Sequence, residues 1–219
     1  TLEVCTAKDG LLQHMTADKT LVDCTTTTVS SNHLIANELN NVGVNFADAP
    51  VARGVLNAVE GTLSITVGAS AETFCLIEEW LLLMGTEISH CGPIGSGTVM
   101  KLINNMVLFQ NVSALAEAMA IATRAGINRN DVFKYLSLGS ADSFALRRHG
   151  EHMTSGEYPT DRFPTSYSHK DLGYLLDLAS ELGVDAAGAS LVQDRFEEVI
   201  RRGLGNLYSP VIYRLFEDE

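Results

Sequence analysis

The 219-residue chain is long enough to bury a core without disulfides or metals and has room for one large domain or two ordinary ones. Its composition, 46% apolar and 19% charged with 18 glycines and 5 prolines, excludes a disordered or collagen-like polymer. Fifteen Lys and Arg stand against 27 acids, and the net charge of -12 repels polyanions, so neither nucleic acid nor an anionic membrane is an expected partner. Cys5, Cys24, Cys75 and Cys91 show no C-x-x-C pair and no zinc spacing, which predicts reduced thiols and no metal site. The most apolar run, Trp80 to Met84, is too short to span a bilayer, and Thr1 to Leu12 lacks the basic and apolar regions of a secretory signal, so a cytoplasmic location is expected.

In chain order, residues 20–24 (TLVDC) read as a strand, a Thr/Ser cluster follows, and Leu34, Ile35, Glu38 and Leu39 fall at helical spacing. Val44 to Ala47 and Thr62 to Val67 are two more strands, joined by a loop containing Pro50 and Gly54, and Leu63, Ile65 and Val67 alternate onto one face. Ser70 caps a helix that runs through Phe74, Ile77, Trp80 and Leu81 to a stop at Gly85, and a last short strand surrounds Ile88. This alternation predicts an α/β unit with a largely parallel sheet, the hairpin-like spacing of the middle strands leaving a mixed sheet open. From Thr98 to Ala125 there is neither proline nor glycine and apolar residues occur nearly all round, which predicts a helix of about 40 Å buried along most of its length. Helices are expected again over 130–138, 143–153, 170–182 and 191–202, so the second half is all-α.

Three segments carry candidate chemistry. In G92-P-I-G95-S-G97-T-V-M-K101-L-I-N-N105 a glycine-rich turn opens a helix that places Lys101 and Asn105 four apart on one face. A lysine near a helix N-terminus among apolar neighbours is suited to giving its proton to a developing alkoxide, and the competing reading is a snorkelling surface lysine. Lys170 and Asp171 open a later helix, where a lysine opposes the macrodipole and asks for an anion or for neutralisation by Asp171. D48-A-P-V-A-R53-G54 follows a strand, where ligands sit in α/β folds. Arg53 there is either an anion ligand, with Gly54 allowing close approach, or a surface arginine in an ordinary turn.

Taken together, D23-C-T-T, D48-A-P-V followed by G61-T-L-S-I-T-V-G68, G92-P-I-G-S-G97 with Lys101 and Asn105, and K170-D-L-G173 resemble the β-hydroxyacid dehydrogenases, the family of 3-hydroxyisobutyrate dehydrogenase and, more distantly, 6-phosphogluconate dehydrogenase. The resemblance runs over essentially the whole chain. It implies α/β architecture, a partial Rossmann-type domain over residues 1–95, followed by an all-α substrate and dimerisation domain over 96–219 built around a long interdomain helix. It implies NAD or NADP as cofactor and a short anionic 3-hydroxy acid or its semialdehyde as substrate. Lys101 matches the catalytic acid/base and Asn105 the residue that fixes the substrate. Ala52, Gly54 and Asn104 fall at substrate positions, and Thr26, Gly95 and Lys170 at cofactor positions. A homodimer or homotetramer is expected.

Two departures from the family pattern stand out. The G-x-G-x-x-G that holds a dinucleotide pyrophosphate does not occur in this sequence, and roughly two β-α units of the family's Rossmann domain are expected to lie outside it. Ala52 and Arg53 replace the usual serine and first glycine of the substrate loop. Arg53 with Asn57 resembles the sulfolactaldehyde reductase branch, which implies an additional anionic head group such as a sulfonate. The leading expectation is hydride transfer with Lys101 as general acid/base; a non-catalytic assembly or ligand-sensing module is the alternative.

Overall fold

The structure, a computed structural model, describes residues 1–217. It divides into two compact units, residues 1–103 and the residues from Asn104 onward. The division falls inside a long helix, whereas the sequence places the boundary at 95/96, ahead of it.

The first unit contains α1 (Leu2–Thr6), β1 (Thr20–Asp23), α2 (Val29–Asn40), β2 (Asn45–Asp48), β3 (Val51–Ala52), α3 (Val55–Val59), β4 (Leu63–Gly68), α4 (Ala71–Leu81) and β5 (Gly85–Gly92), and ends in the first turns of α5 (Ser96–Arg124). β1 pairs in parallel with β2, and β4 with β5. β2 and β3 both run antiparallel to β4, with Asp48 opposite Gly68, Val51 opposite Ile65 and Ala52 opposite Ser64. These three pairs share one register, so β2 and β3 are a single run interrupted at Ala49-Pro50, where proline has no N–H for the ladder. The sheet is therefore mixed. The pleat sends Leu21 and Phe46 to one face, where they join Ile35 and Leu39 of α2, and Val22 and Ala47 to the other, where they join Ile77 and Leu81 of α4. Both faces are covered by helices, as parallel strands require.

Several local expectations change. The segment between β2 and β4 holds β3 and α3 rather than an open loop. α4 ends at Leu81 with Leu82 in helical conformation, and Gly85 opens β5 instead of stopping the helix. A Cβ at Gly85 would stand 2.5 Å from the Leu63 carbonyl oxygen, so close strand pairing explains this glycine. Trp80 is exposed although Leu81 beside it belongs to the core.

The start of α5 is fixed by a side chain distant in sequence. Asp48, 1% exposed at the end of β2, accepts the Gly95 N–H at Oδ1 and the Thr98 N–H at Oδ2, each at 2.7 Å. These are two of the first-turn donors that no helix can satisfy internally. Burial pushes the Asp48 carboxyl above its ordinary range, against the opposing pull of the two N–H groups. Backbone meets backbone around this clamp. A Cβ at Gly97 would lie 2.4 Å from the Thr66 carbonyl oxygen and 2.7 Å from that of Asp48, and one at Gly68 would lie 2.8 Å from the Ser96 nitrogen.

The second unit continues α5 and adds α6 (Arg129–Leu136), α7 (Phe144–Ser155), α8 (Thr165–Glu181), α9 (Ala187–Arg201) and α10 (Arg214–Glu217). α5 is apolar nearly all round but is not buried all round: Phe109, Val112, Ala116 and Met119 are in the core, while Val107 and Ile121 are 50% and 69% exposed. Its length and composition alone would suit a bilayer span; what its core side meets is protein, Phe109 standing edge-on to Phe196 of α9 at 5.5 Å. α8 begins five residues before Lys170, which therefore sits in the second turn and not at a helix N-terminus. The macrodipole argument for Lys170 lapses accordingly.

Two outcomes are expected. Asp48→Ala removes the acceptor from two buried N–H groups and should destabilise the chain by about 2–4 kcal/mol in urea unfolding. On α7, His149 is buried, neither ring nitrogen has a hydrogen-bond partner among the described residues, and its ring lies 5.1 Å from that of Tyr208. Burial, reinforced by the charges of Arg148 and His152, holds its pKa down at about 3. The unfolded chain binds this proton near pH 6.5 and the folded chain only near 3, so stability should fall as pH drops through that window, by roughly 2.5 kcal/mol at pH 4.5. His149→Phe, which keeps a ring in place, should flatten this part of the pH dependence of unfolding.

Candidate active site

In the first unit the site is built at the carboxyl ends of β1, β2 and β5, where α/β sheets hold ligands. Asp23 ends β1; its Oδ1 accepts the Thr25 N–H at 2.9 Å and turns the Thr25–Thr28 segment back toward α2, whose first turn Thr28 caps through its hydroxyl. Thr26 lies half-buried in this turn. The second carboxylate oxygen of Asp23 is buried without a hydrogen-bond partner among the described residues.

Beside it the Gly92–Gly97 turn passes through left-handed conformations at Gly92 (φ 131) and Gly95 (φ 93). A Cβ at Gly95 would approach the Val29 side chain to 2.9 Å and the His33 ring to 3.3 Å, so only glycine lets this turn lie on α2. Asn32 of α2, fully buried, donates from Nδ2 to the Thr98 hydroxyl at 2.7 Å and ties the two helix starts together. Lys101 follows in the second turn of α5, half-buried.

In the second unit Asn105, 4% exposed, donates from Nδ2 to Asp171 Oδ2 at 2.9 Å and accepts at Oδ1 from Asn104 Nδ2 at 3.2 Å. Asp171 is 1% exposed and its Oδ1 lies 3.0 Å from the Lys170 ammonium, which also stands 5.1 Å from the centre of the Tyr174 ring. The structure thus brings Asn104, Asn105, Lys170 and Asp171 together, α8 supplying the carboxylate that α5 needs.

In the expected substrate loop, two of the named side chains have partners close by. Arg53 donates from Nη1 to the Thr62 carbonyl at 3.0 Å and to the Thr86 hydroxyl at 3.1 Å, and its Nη2 lies 3.8 Å from Glu87. Asn57 donates to the Thr62 hydroxyl at 2.9 Å. Both polar ends converge on Thr62 and brace the turn between β3 and β4. Arg53 also keeps φ at 85°, the left-handed geometry that favours glycine. Ala52 pairs with Ser64 in the ladder, and Gly54 (φ 92) opens α3.

Sequence reasoning missed Asp48 and Asn32 as supports of the glycine turn and gave Asp171 only a neutralising role. Nothing local marks the first two, since their partners lie 47 to 66 residues away. Among the described residues no cluster of His, Cys, Asp or Glu is arranged to hold a metal.

The first unit is thus a mixed sheet whose glycine turn, at the carboxyl ends of its strands, leads into the helix that carries Lys101 and Asn105. Residues 1–92 match the NAD binding domain of 6-phosphogluconate dehydrogenase, and residues 95–215 match the NAD-binding domain of NADP-dependent 3-hydroxyisobutyrate dehydrogenase. The chain belongs to the β-hydroxyacid dehydrogenase family, and its cofactor is NAD or NADP. It is 30% identical over 209 residues to 2-(hydroxymethyl)glutarate dehydrogenase of Eubacterium barkeri, covering 95% of this chain and 69% of that protein. It is 29% identical over 215 residues to 2-hydroxy-3-oxopropionate reductase of Escherichia coli (strain K12), covering 98% and 73%. The crystal structure of a 3-hydroxyisobutyrate dehydrogenase from Salmonella typhimurium shares the fold, with a TM-score of 0.86 at 24% identity over 94% of this chain and 73% of that one.

Arg53→Gly separates a bracing role from a substrate-binding one. Relief of left-handed strain, about 1 kcal/mol, offsets the loss of the two exposed hydrogen bonds, so the melting temperature should stay within a few degrees of the parent and substrate KM should be unchanged. A KM raised tenfold or more would return Arg53 to the substrate.

Proposed function

We propose that this enzyme interconverts a short 3-hydroxy acid and its semialdehyde, with Lys101 as general acid/base. The observation that carries the reading is the course of α5: clamped at its start by Asp48, it sets Lys101 in its second turn and the buried Asn105 one turn further on. In the reducing direction Lys101 gives a proton to the carbonyl oxygen as negative charge develops there, and in the oxidising direction it takes that proton back. Asn105 orients the same oxygen. Ala52, Gly54 and Asn104 shape the substrate side.

The nicotinamide, when bound, supplies or accepts the hydride. Thr26, Gly95 and Lys170 are the residues that would hold it. The edge of the first unit fits such a group: Asp23 leaves one buried oxygen without a hydrogen-bond partner among the described residues, an acceptor of the kind that a carboxamide NH2 satisfies, beside a hydroxyl-bearing turn.

The substrate class draws support from the two relatives' names. 2-(Hydroxymethyl)glutarate and 2-hydroxy-3-oxopropionate each carry a primary alcohol or an aldehyde on the carbon next to the one bearing a carboxylate. A cytoplasmic homodimer or homotetramer acting on a small anion completes the reading, in keeping with the net charge of -12 and with exposed apolar side chains such as Ile121 on α5.

The decisive experiment pairs Lys101→Ala with a fluorescence titration of NADH and NADPH. The variant should keep its fold and its nucleotide affinity while kcat for semialdehyde reduction falls by roughly 100-fold to 10,000-fold. Retention of most of the parent kcat would remove Lys101 from the chemistry.

A further inference from the structure

Tyr208 precedes the 3-10 turn Ser209–Tyr213 and is 5% exposed. α7 packs against it: the His149 and His152 rings each stand 5.1 Å from its ring, and Arg148 donates a hydrogen bond to its hydroxyl. The segment leading into α8 reaches it as well, through an antiparallel bridge between Pro164 and Tyr208, two residues after Arg162. Burial raises the Tyr208 phenol above its ordinary range, and the charges of Arg148 and Arg162 pull against that rise. Two guanidiniums from different segments thus act on one hydroxyl.

Arg162 has little to hold. Its Nε is buried without a hydrogen-bond partner among the described residues, and the adjacent Asp161 lies 3.9 Å from it with a side chain 82% exposed. An ion pair of that length, open to water, contributes little. On α7 the neighbouring Arg147 is treated differently, being paired with Asp142. The chain has acids to spare at a net charge of -12, yet the group that Arg162 shares with Arg148 is an uncharged phenol. Like charges brought to one point repel, and an anion at that point turns the repulsion into attraction.

We propose that Arg148, Arg162 and the Tyr208 hydroxyl form a binding site for a small doubly charged oxyanion of the phosphate or sulfate class. The planar fork of Arg162 matches two oxygens of such an ion, and Arg148 supplies the second charge. The Tyr208 oxygen already accepts from Arg148, which leaves its O–H to donate to a third oxygen. The Arg162 side chain is 31% exposed, so the fork is open to an ion from solvent although its Nε is not. The site uses none of the residues assigned to the reaction and stands whether or not the acid/base reading of Lys101 holds. The oxyanion is either free or the end group of a phosphorylated metabolite, and both present the same oxygens to the fork.

Inorganic phosphate is the first probe, titrated by calorimetry into the whole chain at constant ionic strength. Saturable binding with a millimolar Kd is expected, weakened about 10-fold in Arg162→Gln. Lys134→Gln, which removes an exposed charge from α6, should leave the Kd unchanged. If Arg162→Gln does not melt cooperatively, Arg162→Lys takes its place, keeping the charge but losing the fork, with a smaller loss of affinity. Absence of saturation through the tens-of-millimolar range would overturn the site, as would a Kd that the Arg162 variant leaves unchanged or that Lys134→Gln weakens equally. Glycerol 3-phosphate then separates the two sources: tighter binding than phosphate assigns the site to an ester, and equal or weaker binding assigns it to the free ion.

Discussion

The carboxylate of Asp48 is the constraint on which the first unit depends. A 29-residue helix that begins against a sheet has to leave its first N–H groups somewhere, and here two of them end on one buried side chain at the tip of β2. Because both oxygens are used, the carboxylate fixes where the helix starts and also its rotation about its own axis. Rotation matters in the proposed scheme, since it sets the face of α5 that carries Lys101. The close approach of Gly68 and Gly97 follows from the same contact, as the helix start has to lie directly on strand backbone for Asp48 to reach it.

The second unit handles a buried carboxylate in another way. Asp171 is offset by one amide N–H and one ammonium, where Asp48 is offset by two backbone N–H groups. Backbone donors at a helix start are rigid and suit a structural clamp, whereas side-chain partners can adopt other rotamers. Burying such a group is costly unless its partners are in place, so each aspartate penalises any arrangement in which its helix has slipped. Each carboxylate holds one stretch of α5, Asp48 its start and Asp171 the turn at Asn105.

The legible part of the fold was the part written in short-range pattern. Leu63, Ile65 and Val67 announced β4 through their alternation, and Ser70 and Ser143 announced helix starts that their side chains do cap. Lys101 and Asn105 were legible because helical spacing and a glycine turn are local features. What escaped was set by distant partners. β3 has two residues and exists only because β4 offers a continuing register, so no periodicity could reveal it. Gly85 looked like a helix stop because its reason, the Leu63 carbonyl 2.5 Å from any Cβ, belongs to another strand. α8 was read five residues too short because Pro164 and Thr165 do not resemble a cap; the Thr165 N–H is instead taken up by the Leu207 carbonyl at 2.8 Å.

Arg53 combines a main-chain course that the resemblance explains with side-chain bonds that only the structure shows. The family pattern has glycine at this place, and the backbone here still follows the glycine path, at φ 85°, although the residue carries a long side chain. A left-handed arginine is kept only where something outweighs its strain, and bonds to Thr62 and Thr86 supply that something by closing the end of the hairpin. The substitution thus altered what the side chain does while leaving the course of the main chain intact. These bonds lie at the amino end of β4, where Thr62 precedes the strand and Thr86 sits near the start of β5.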